Sequence, residues 1–280
     1  MMIFFKHAQA LSSYISNQKL AGKTVSFVPT MGALHAGHLS LIKEAKAKAD
    51  ITVCSIFINP TQFNNPDDFK KYPHTTEHDL QKLLEEGCHL VFLPPVEEIY
   101  PPGFQAPAYD IGLLETLLEG KYRPGHFQGV CQVVDRLLQI TDPDFLIVGQ
   151  KDFQQCQVIA RLLTITGREH VSLVISPTVR EADGLAMSSR NMRLTDGQRK
   201  TAPALYTALL KVKHEASLRP HQEIITEAFH DLTAKGFRVD YLEIADAANL
   251  LPASGTTISP VVLVAAYLDD VRLIDNLPLN

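Results

Sequence analysis

Two histidines stand three positions apart in the segment PTMGALHAGH, residues 29–38. The imidazoles of His35 and His38 can donate hydrogen bonds to a charged oxygen or exchange a proton near neutral pH. Gly32 and Gly37 carry no side chain, so a flat ligand can approach the backbone there. These residue types at this spacing predict a site for a phosphate-bearing ligand. A structural alternative stays open, with one histidine as a helix cap and the other as a surface residue.

The segment lies between a predicted strand, TVSFVPT (24–30), and a predicted helix, HLSLIKEAKAKAD (38–50). A helix N-terminus offers unpaired backbone N–H groups and a partial positive charge, and both attract phosphate. In open α/β sheets, ligands bind at the carboxyl ends of the strands. We therefore expect the paired histidines at that edge of a sheet.

Two further stretches carry groups suited to phosphate. GQKDFQQ (149–155) follows a predicted strand, and its Lys151 can face the β- and γ-phosphates of a nucleotide, while Asp152 suits a helix start. MSSRN (187–191) offers two hydroxyl groups and the planar guanidinium of Arg190. Read alone, the first stretch is helix capping and the second is a polar linker.

Uncharged and basic side chains follow in two other loops. FINPTQF (57–63) contains Asn59 and Gln62, whose amides recognise hydroxyl or carboxylate groups without a buried charge. KYRPGHFQGV (121–130) adds Arg123 and His126 just before a predicted helix. Alone, either stretch reads as an ordinary loop.

The elements that must position these groups alternate between strand and helix patterns. The predicted strands are 24–30, 51–58, 89–95, 144–149 and 171–176, with helices over 38–50, 76–87, 129–141 and 152–166. Five strands alternating with helices predict a Rossmann-like, doubly wound parallel sheet of the α/β class.

The pattern changes after residue 177. A long amphipathic helix is predicted over 194–216, with Thr195 or Asp196 as its N-cap, and a second helix over 223–236. Strands follow at 239–246 and 261–268. We expect a domain of residues 1–177 and a smaller α+β domain of residues 178–280, joined through the polar stretch 180–193.

Composition narrows the function classes. The chain has 280 residues, 45% hydrophobic and 20% charged, with a net charge of −5 and a pI near 6.1. This acidic balance disfavours nucleic acid as a partner. Four separated cysteines, read as reduced core thiols, and the lack of a signal peptide or a long apolar run predict a soluble, cytoplasmic protein with no membrane partner.

The segment His35-Ala36-Gly37-His38 resembles the HIGH signature of the nucleotidyltransferase superfamily, which transfers adenylyl groups from ATP. MSSRN stands where that superfamily has its second, lysine-rich loop. Together with INPTQF, RPGHFQGV, GQKDFQQ and READGLAMSSRN, in order and spacing, the chain closely resembles the pantothenate synthetases, or pantoate–β-alanine ligases. The resemblance covers nearly the whole chain.

The resemblance implies the roles of individual residues. The implied ATP-binding residues are Met31, Gly32, Ala33, Leu34, His35, Ala36, Gly37, His38, Gly149, Gln150, Lys151, Asp152, Val179, Met187, Ser188, Ser189 and Arg190. Among these, His38, His35, Lys151 and Arg190 are the implied catalytic groups. Gln62 would bind pantoate and β-alanine, and Gln155 would bind pantoate; Asn59, Arg123 and His126 are added as substrate-site candidates. No protein metal ligand is assigned, although Asp79 is a candidate.

The implied reaction condenses (R)-pantoate with β-alanine through a pantoyl-adenylate and releases AMP and pyrophosphate. The resemblance also implies that ATP is a substrate and that the protein is a homodimer. We expect Mg²⁺ to bridge the phosphates of ATP and the C-terminal domain to close over it. Two alternatives remain at this stage. One is another enzyme with the same signature, acting on a phosphorylated acceptor or charging tRNA; the other is a nucleotide-binding module without chemistry.

Overall fold

The computed structural model describes residues 2–64 and 66–280. Its internal contacts divide the chain into two compact units. Unit 1 is Met1–Gly112, Arg123–Gln150 and Gln155–Pro177, and unit 2 is Leu113–Tyr122, Lys151–Gln154 and Thr178–Asn280. Two short segments that precede residue 178 in the chain therefore pack with the C-terminal part.

Strands and helices alternate along most of the chain. The strands are β1 (Ile3–Phe5), β2 (Val25–Thr30), β3 (Ile51–Ile56), β4 (Leu90–Phe92), β5 (Phe145–Gly149), β6 (Ser172–Ser176), β7 (Arg238–Asp246), β8 (Pro260–Leu268) and β9 (Val271–Pro278). The helices are α1 (Ala8–Leu20), α2 (Ala36–Lys48), α3 (Pro66–Lys70), α4 (Thr76–Glu86), α5 (Val96–Ile99), α6 (Leu118–Tyr122), α7 (His126–Thr141), α8 (Phe153–Ile165), α9 (Asp196–Thr201), α10 (Ala204–Glu215) and α11 (His221–Ala234). Short 3₁₀ helices cover Pro60–Gln62, Gly112–Glu115 and Ser189–Arg193.

Unit 1 is built on a parallel sheet whose strand order, over the described residues, is β1-β4-β3-β2-β5-β6. The chain runs outward from β2 through β3 to β4, and then returns to place β5 on the other side of β2. The strand order therefore reverses between β2 and β5, which is where open α/β sheets bind ligands. The predicted α/β class is confirmed.

Continuous apolar runs explain why the central strands lie inside. Phe27 and Val28 of β2 and Val53 of β3 are fully buried, as expected for parallel strands covered on both faces. Helix α2 turns Leu41, Ile42 and Ala45 toward the core, and these positions have the spacing of one helical face.

One strand of this sheet is absent from the sequence prediction. β1 has three residues, and among the residues that the structure describes its partner is β4, with Ile3 opposite Leu90. A run this short has no measurable periodicity. It becomes a strand because the exposed edge of β4 offers unpaired backbone groups.

Unit 2 contains an antiparallel sheet in the order β7-β8-β9. Buried apolar residues of α10 and α11 pack with those of the sheet; they are Leu205, Leu209, Val212, Ile224, Ala228, Leu232, Val262 and Val264. Strand β9 is absent from the sequence prediction because polar residues, Asp275 and Asn276, occupy two buried positions in it and disrupt its apolar pattern.

The long helix predicted over 194–216 is wrong in its interior. Of the two expected N-cap residues, Thr195 is the N-cap, and it accepts a hydrogen bond from the backbone N–H of Gln198. Helix α9 then ends at Thr201, and α10 begins at Ala204. Pro203 lies between them and interrupts the helix, because its nitrogen carries no N–H and its ring clashes with the preceding helical turn.

The cysteine side chains Cys54, Cys88, Cys131 and Cys156 are buried. Burial raises the pKa of the Cys54 thiol, and it raises the pKa of Cys88 to about 12, so both stay protonated at neutral pH. None of the helices over residues 2–64 and 66–280 has the length and apolar character that a membrane crossing requires.

Helix α7 lies so close to the Pro60–Gln62 turn that only glycine fits at position 129. A Cβ at Gly129 would lie 2.4 Å from the carbonyl oxygen of Thr61. We expect Gly129→Ala to lower the free energy of unfolding by about 1–3 kcal/mol, because backbone must move to relieve the clash. Urea denaturation of the full chain measures this.

Gly197→Ala is the matched control, because a Cβ there meets no atom within 4 Å and the residue also lies in a helix. We expect this substitution to raise stability by up to about 1 kcal/mol, the difference in helix propensity. Equal effects of the two substitutions would contradict the close approach.

Candidate nucleotide and substrate site

The loop after β2 makes an abrupt left-handed turn before α2 begins. Gly32 has φ 82° and Ala33 has φ 50°. A Cβ at Gly32 would lie 3.0 Å from a methyl group of Ile56 and 3.1 Å from a carboxylate oxygen of Asp79. Position 32 therefore needs glycine both for its conformation and for the space around it.

A buried carboxylate holds this turn in place. Asp79, on α4, is 1% exposed. Its two oxygens accept hydrogen bonds from the backbone N–H groups of Ala33 at 2.8 Å and Leu34 at 2.7 Å. The Thr75 hydroxyl donates to the same carboxylate, and the Lys82 ammonium donates to the carbonyl of Leu34. These bonds offset the strain of a left-handed alanine.

The two histidines lie together at the start of α2. His35 is the N-cap residue, and its backbone N–H donates to Nδ1 of His38 at 3.3 Å. The ring centroids are 4.0 Å apart. Both side chains are only partly buried, and both residues lie at the N-terminus of α2, the end at which the first backbone N–H groups of a helix lack a partner four residues earlier. One imidazole pair and one helix N-terminus can thus face the same anion.

The amide side chains predicted in the loop after β3 reach the loop that follows β2. Nε2 of Gln62 donates to the sulfur of Met31 at 3.3 Å. Asn59 is buried and donates to Oε1 of Gln62 at 3.0 Å and to the carbonyl of Gly129 at 3.1 Å. The hydroxyl of Tyr100 donates to Oδ1 of Asn59 at 2.8 Å. Asn59 therefore orients Gln62.

The predicted basic residues at the start of α7, Arg123 before it and His126 as its first residue, contact the backbone of the loop that carries Gln62. Nδ1 of His126 donates to the carbonyl of Gln62 at 2.8 Å, and the guanidinium of Arg123 lies 3.5 Å from the same oxygen. His126 is 5% exposed. The structure thus brings Asn59, Arg123 and His126 together around Gln62, in positions that hold its backbone and side chain.

The residues that end β5 lie next to β2 in the sheet. Gly149 is the last residue of β5, and the N–H of Gln150 donates to the carbonyl of Ser176 at 2.8 Å. Gln155 is partly buried in the first turns of α8. Because β2 and β5 are parallel neighbours, their carboxyl ends reach the same edge of the sheet. The sheet order thus sets these residues beside the loop of Met31 to His38.

The remaining predicted residues belong to unit 2. The Lys151 ammonium lies 3.7 Å from a carboxylate oxygen of Asp152, with the lysine side chain 18% exposed. The N–H of Met187 donates to the carbonyl of Val179 at 3.0 Å. In the adjoining turn, Ser188 accepts from the N–H of Arg190 at 3.2 Å.

Unit 1 therefore brings together one part of the predicted site, and unit 2 another. Unit 1 holds Met31, Gly32, Ala33, Leu34, His35, Ala36, Gly37, His38, Asn59, Gln62, Arg123, His126, Gly149, Gln150 and Gln155. Unit 2 holds Lys151, Asp152, Val179, Met187, Ser188, Ser189 and Arg190.

Sequence reasoning misses the residues that support these side chains. Three hydrogen bonds provide this support: from Leu34 to Asp79, from Lys82 to Leu34 and from Tyr100 to Asn59. Each of them joins residues that are 41 to 48 positions apart in the chain. The sequence presents Asp79 only as a metal candidate. A polar residue at an otherwise apolar helical position is the available signal, since α4 buries Asp79 beside Leu83.

Known proteins are similar to this chain over nearly its full length. A family model described as pantoate-beta-alanine ligase matches residues 3–278. Among solved structures, a pantothenate synthetase from Thermus thermophilus is 41% identical with a TM-score of 0.93, covering 99% of each chain. A pantoate-beta-alanine ligase from Francisella tularensis, complexed with beta-gamma ATP and beta-alanine, is 34% identical with a TM-score of 0.85, covering 100% of this chain and 98% of that one.

The anchoring of the β2 loop by Asp79 predicts the effect of Asp79→Asn. The amide has one acceptor oxygen, and its NH₂ group would face a backbone N–H. We expect the free energy of unfolding to fall by about 2 kcal/mol, the value of hydrogen bonds to a charged group. Urea denaturation measures the change.

Glu77→Gln is the matched control, because Glu77 lies in the same first turn of α4 with an exposed side chain. We expect it to change stability by less than about 0.5 kcal/mol. If the two variants were equally stable, the carboxylate of Asp79 would not be holding the loop.

Proposed function

The chain belongs to the pantoate-beta-alanine ligase family, and we propose that it joins pantoate to β-alanine in two steps driven by ATP. The enzyme is an ATP-dependent ligase of pantothenate biosynthesis. The observation that carries the proposal is the position of the paired histidines. They follow β2 at the reversal of strand order, at the edge of the sheet where β5 ends with Gly149 and is followed by Gln150.

In the first step, the carboxylate of (R)-pantoate attacks the α-phosphate of ATP. A bond forms between a carboxylate oxygen and the phosphorus, and the bond to the β-phosphate bridge breaks, giving pantoyl-adenylate and pyrophosphate. This step is needed because a free carboxylate would have to expel oxide. The protein contributes alignment and charge stabilisation, as in other phosphoryl-group chemistry.

In the second step, the amine of β-alanine attacks the carbonyl of the adenylate. The new C–N bond forms as the bond to AMP breaks, and the amine loses a proton. We propose that Gln62 binds pantoate and β-alanine and that Gln155 binds pantoate. The bonds from Asn59 to the side chain of Gln62 and from His126 to its carbonyl support this role, because they fix the amide before a substrate arrives.

We propose that the phosphates are bound by the catalytic groups His35, His38, Lys151 and Arg190, with the hydroxyls of Ser188 and Ser189. Hydrogen-bond donors of this kind stabilise the charge that develops during transfer. The turn that contains Ser188 and Arg190 supports this assignment, since its own backbone bond fixes the loop. Closure of the C-terminal domain, residues 178–280, over the nucleotide stays a prediction.

Mg²⁺ is proposed to accompany ATP, where it would neutralise charge on the β- and γ-phosphates. The chemistry of the proposed site residues supports a metal ion that is bound through the nucleotide and water. The site offers mainly cationic and hydroxyl groups, and both oxygens of Asp79 already accept backbone N–H groups. No protein ligand is assigned to the ion.

A homodimer and a cytoplasmic location are also proposed. The family implies the dimer. The burial of all four cysteine thiols supports a reducing compartment, because such thiols have no disulfide role.

The first prediction of this mechanism concerns His38. We expect His38→Ala to lower kcat by about 10²–10³-fold, the usual effect of removing one donor to a developing charge. His78→Ala is the control, since His78 is exposed on α4, and it should retain wild-type turnover. A His38→Ala enzyme that keeps more than a tenth of wild-type kcat would contradict the assigned role.

The second prediction separates this reaction from its alternatives. Pantoate should stimulate pyrophosphate release from ATP, whereas amino acids and phosphorylated acceptors should not. Mass spectrometry should then detect pantothenate and AMP once β-alanine is added. ATP binding without any pyrophosphate release would favour a nucleotide-binding module that lacks chemistry.

A further inference from the structure

Unit 2 contains a buried ion pair, Arg180 with Asp275, that includes none of the proposed site residues. Asp275, on β9, is 4% exposed. Its two oxygens accept hydrogen bonds from the guanidinium of Arg180, at 2.6 Å from Nη1 and 2.9 Å from Nη2. Such paired bonds fix the orientation of both side chains. A buried charge pair does not by itself stabilise a fold more than apolar packing would, so its geometry calls for another role.

Arg180 lies in a hairpin formed by residues 179–187 and holds it through several contacts. It pairs with Ala186 in an antiparallel bridge, and its guanidinium donates to the carbonyl of Gly184 at 3.1 Å. The guanidinium carbon lies 3.7 Å from the centre of the Tyr206 ring. A Cβ at Gly184 would lie 2.4 Å from that ring. The hairpin is therefore clamped between Asp275 and Tyr206.

This hairpin carries two of the proposed nucleotide-binding residues of unit 2 and leads into three more. Val179 and Met187, which are joined by a backbone hydrogen bond, flank the pair of Arg180 and Ala186. Asn191, in the 3₁₀ turn that follows, donates to the carbonyl of Ala186 at 3.0 Å. The position of Arg180 thus sets the start of the segment from Met187 to Arg190.

The residue after Asp275 contacts Lys151, another residue of unit 2 that is proposed to bind phosphate. Asn276 is 2% exposed, and its Nδ2 donates to the carbonyl of Lys151 at 3.0 Å. The N–H of Asn276 donates to Oδ1 of Asp275 at 2.8 Å, and Arg180 donates to the carbonyl of Asn276 at 3.3 Å. One dipeptide of β9 therefore contacts both Lys151 and the Arg180 hairpin.

We infer that Asp275 and Asn276 are positioning residues for the nucleotide, because together they fix the backbone of Lys151 and the hairpin that leads to Met187–Arg190. Neither residue is a catalytic residue, since each acts through another group. The inference rests on the proposed roles of Lys151 and Arg190. It explains why β9 buries two polar residues in the apolar sheet of unit 2.

Electrostatics agree with this arrangement. Burial raises the pKa of Asp275, while the guanidinium of Arg180 and the ammonium of Lys151 oppose that rise. The Lys151 charge therefore acts on the Asp275 carboxyl group. Replacing the carboxylate would change the field around Lys151 as well as the orientation of Arg180.

The test is steady-state kinetics and calorimetric ATP binding with Asp275→Asn and Asn276→Ala in the full chain. For Asp275→Asn we expect KM and Kd for ATP to rise roughly tenfold, the equivalent of one lost charge-assisted hydrogen bond. For Asn276→Ala, which removes one neutral hydrogen bond to Lys151, we expect a rise of roughly threefold. KM for pantoate should stay within twofold, because the pantoate residues Gln62 and Gln155 belong to unit 1.

Glu119→Gln is the matched control for Asp275→Asn. Glu119 is also a buried carboxylate of unit 2 that accepts two hydrogen bonds from one arginine, Arg272, at 2.7 and 2.8 Å. Both variants remove one charge from a buried pair. A purely structural role lowers the amount of folded enzyme, and hence the apparent kcat, without changing KM. Glu119→Gln should therefore leave KM for ATP unchanged.

Two outcomes would overturn the inference. One is an unchanged KM and Kd for ATP in both β9 variants; the other is an equal rise in Glu119→Gln and Asp275→Asn. If Asp275→Asn does not fold, Asn276→Ala and its Kd for ATP decide alone. A wild-type enzyme that binds ATP but makes no pantothenate would contradict the proposed function instead, since ATP binding is measured without any acceptor acid.

Discussion

The structure depends on buried side chains that hydrogen-bond to the backbone of loops. The clearest case is Asp79, which holds the left-handed turn of Gly32 and Ala33 through two short bonds to Ala33 and Leu34. A helix N-terminus binds an anion well only if the loop before it has one conformation. The anchor thus lies on α4, while the groups that it positions lie at the start of α2.

Buried side chains that fix a neighbouring group by hydrogen bonds occur in both units, with different chemistry in each. In unit 1, Asn59 holds the side chain of Gln62, and His126 holds its carbonyl. In unit 2, Asn276 holds the carbonyl of Lys151. An amide or imidazole can fix a backbone group without adding a net charge beside a substrate. Gln62 and Lys151 are therefore each supported by a partner from another element of the fold.

Polar groups buried for this purpose also explain one error of the sequence prediction, the missing strand β9. β9 contains Asp275 and Asn276 at buried positions, and this disrupts the apolar alternation by which strands are recognised. The interrupted helix has a different cause, since Pro203 breaks it by its own covalent structure. Strand β1 is too short for any pattern and exists because β4 offers a free edge.

The sequence alone determined the α/β class and the family, and it singled out the segments that we propose carry chemistry. Those properties reside in local patterns: apolar runs for parallel strands, histidine and lysine motifs at the ends of β2 and β5, and a serine–arginine motif in a turn. Only the tertiary structure decided which residues hold those motifs, such as Asp79 for Ala33 and Asn276 for Lys151. Such partners lie 46 and 125 positions apart, and one hydrogen bond between distant residues leaves no periodic signal in the chain.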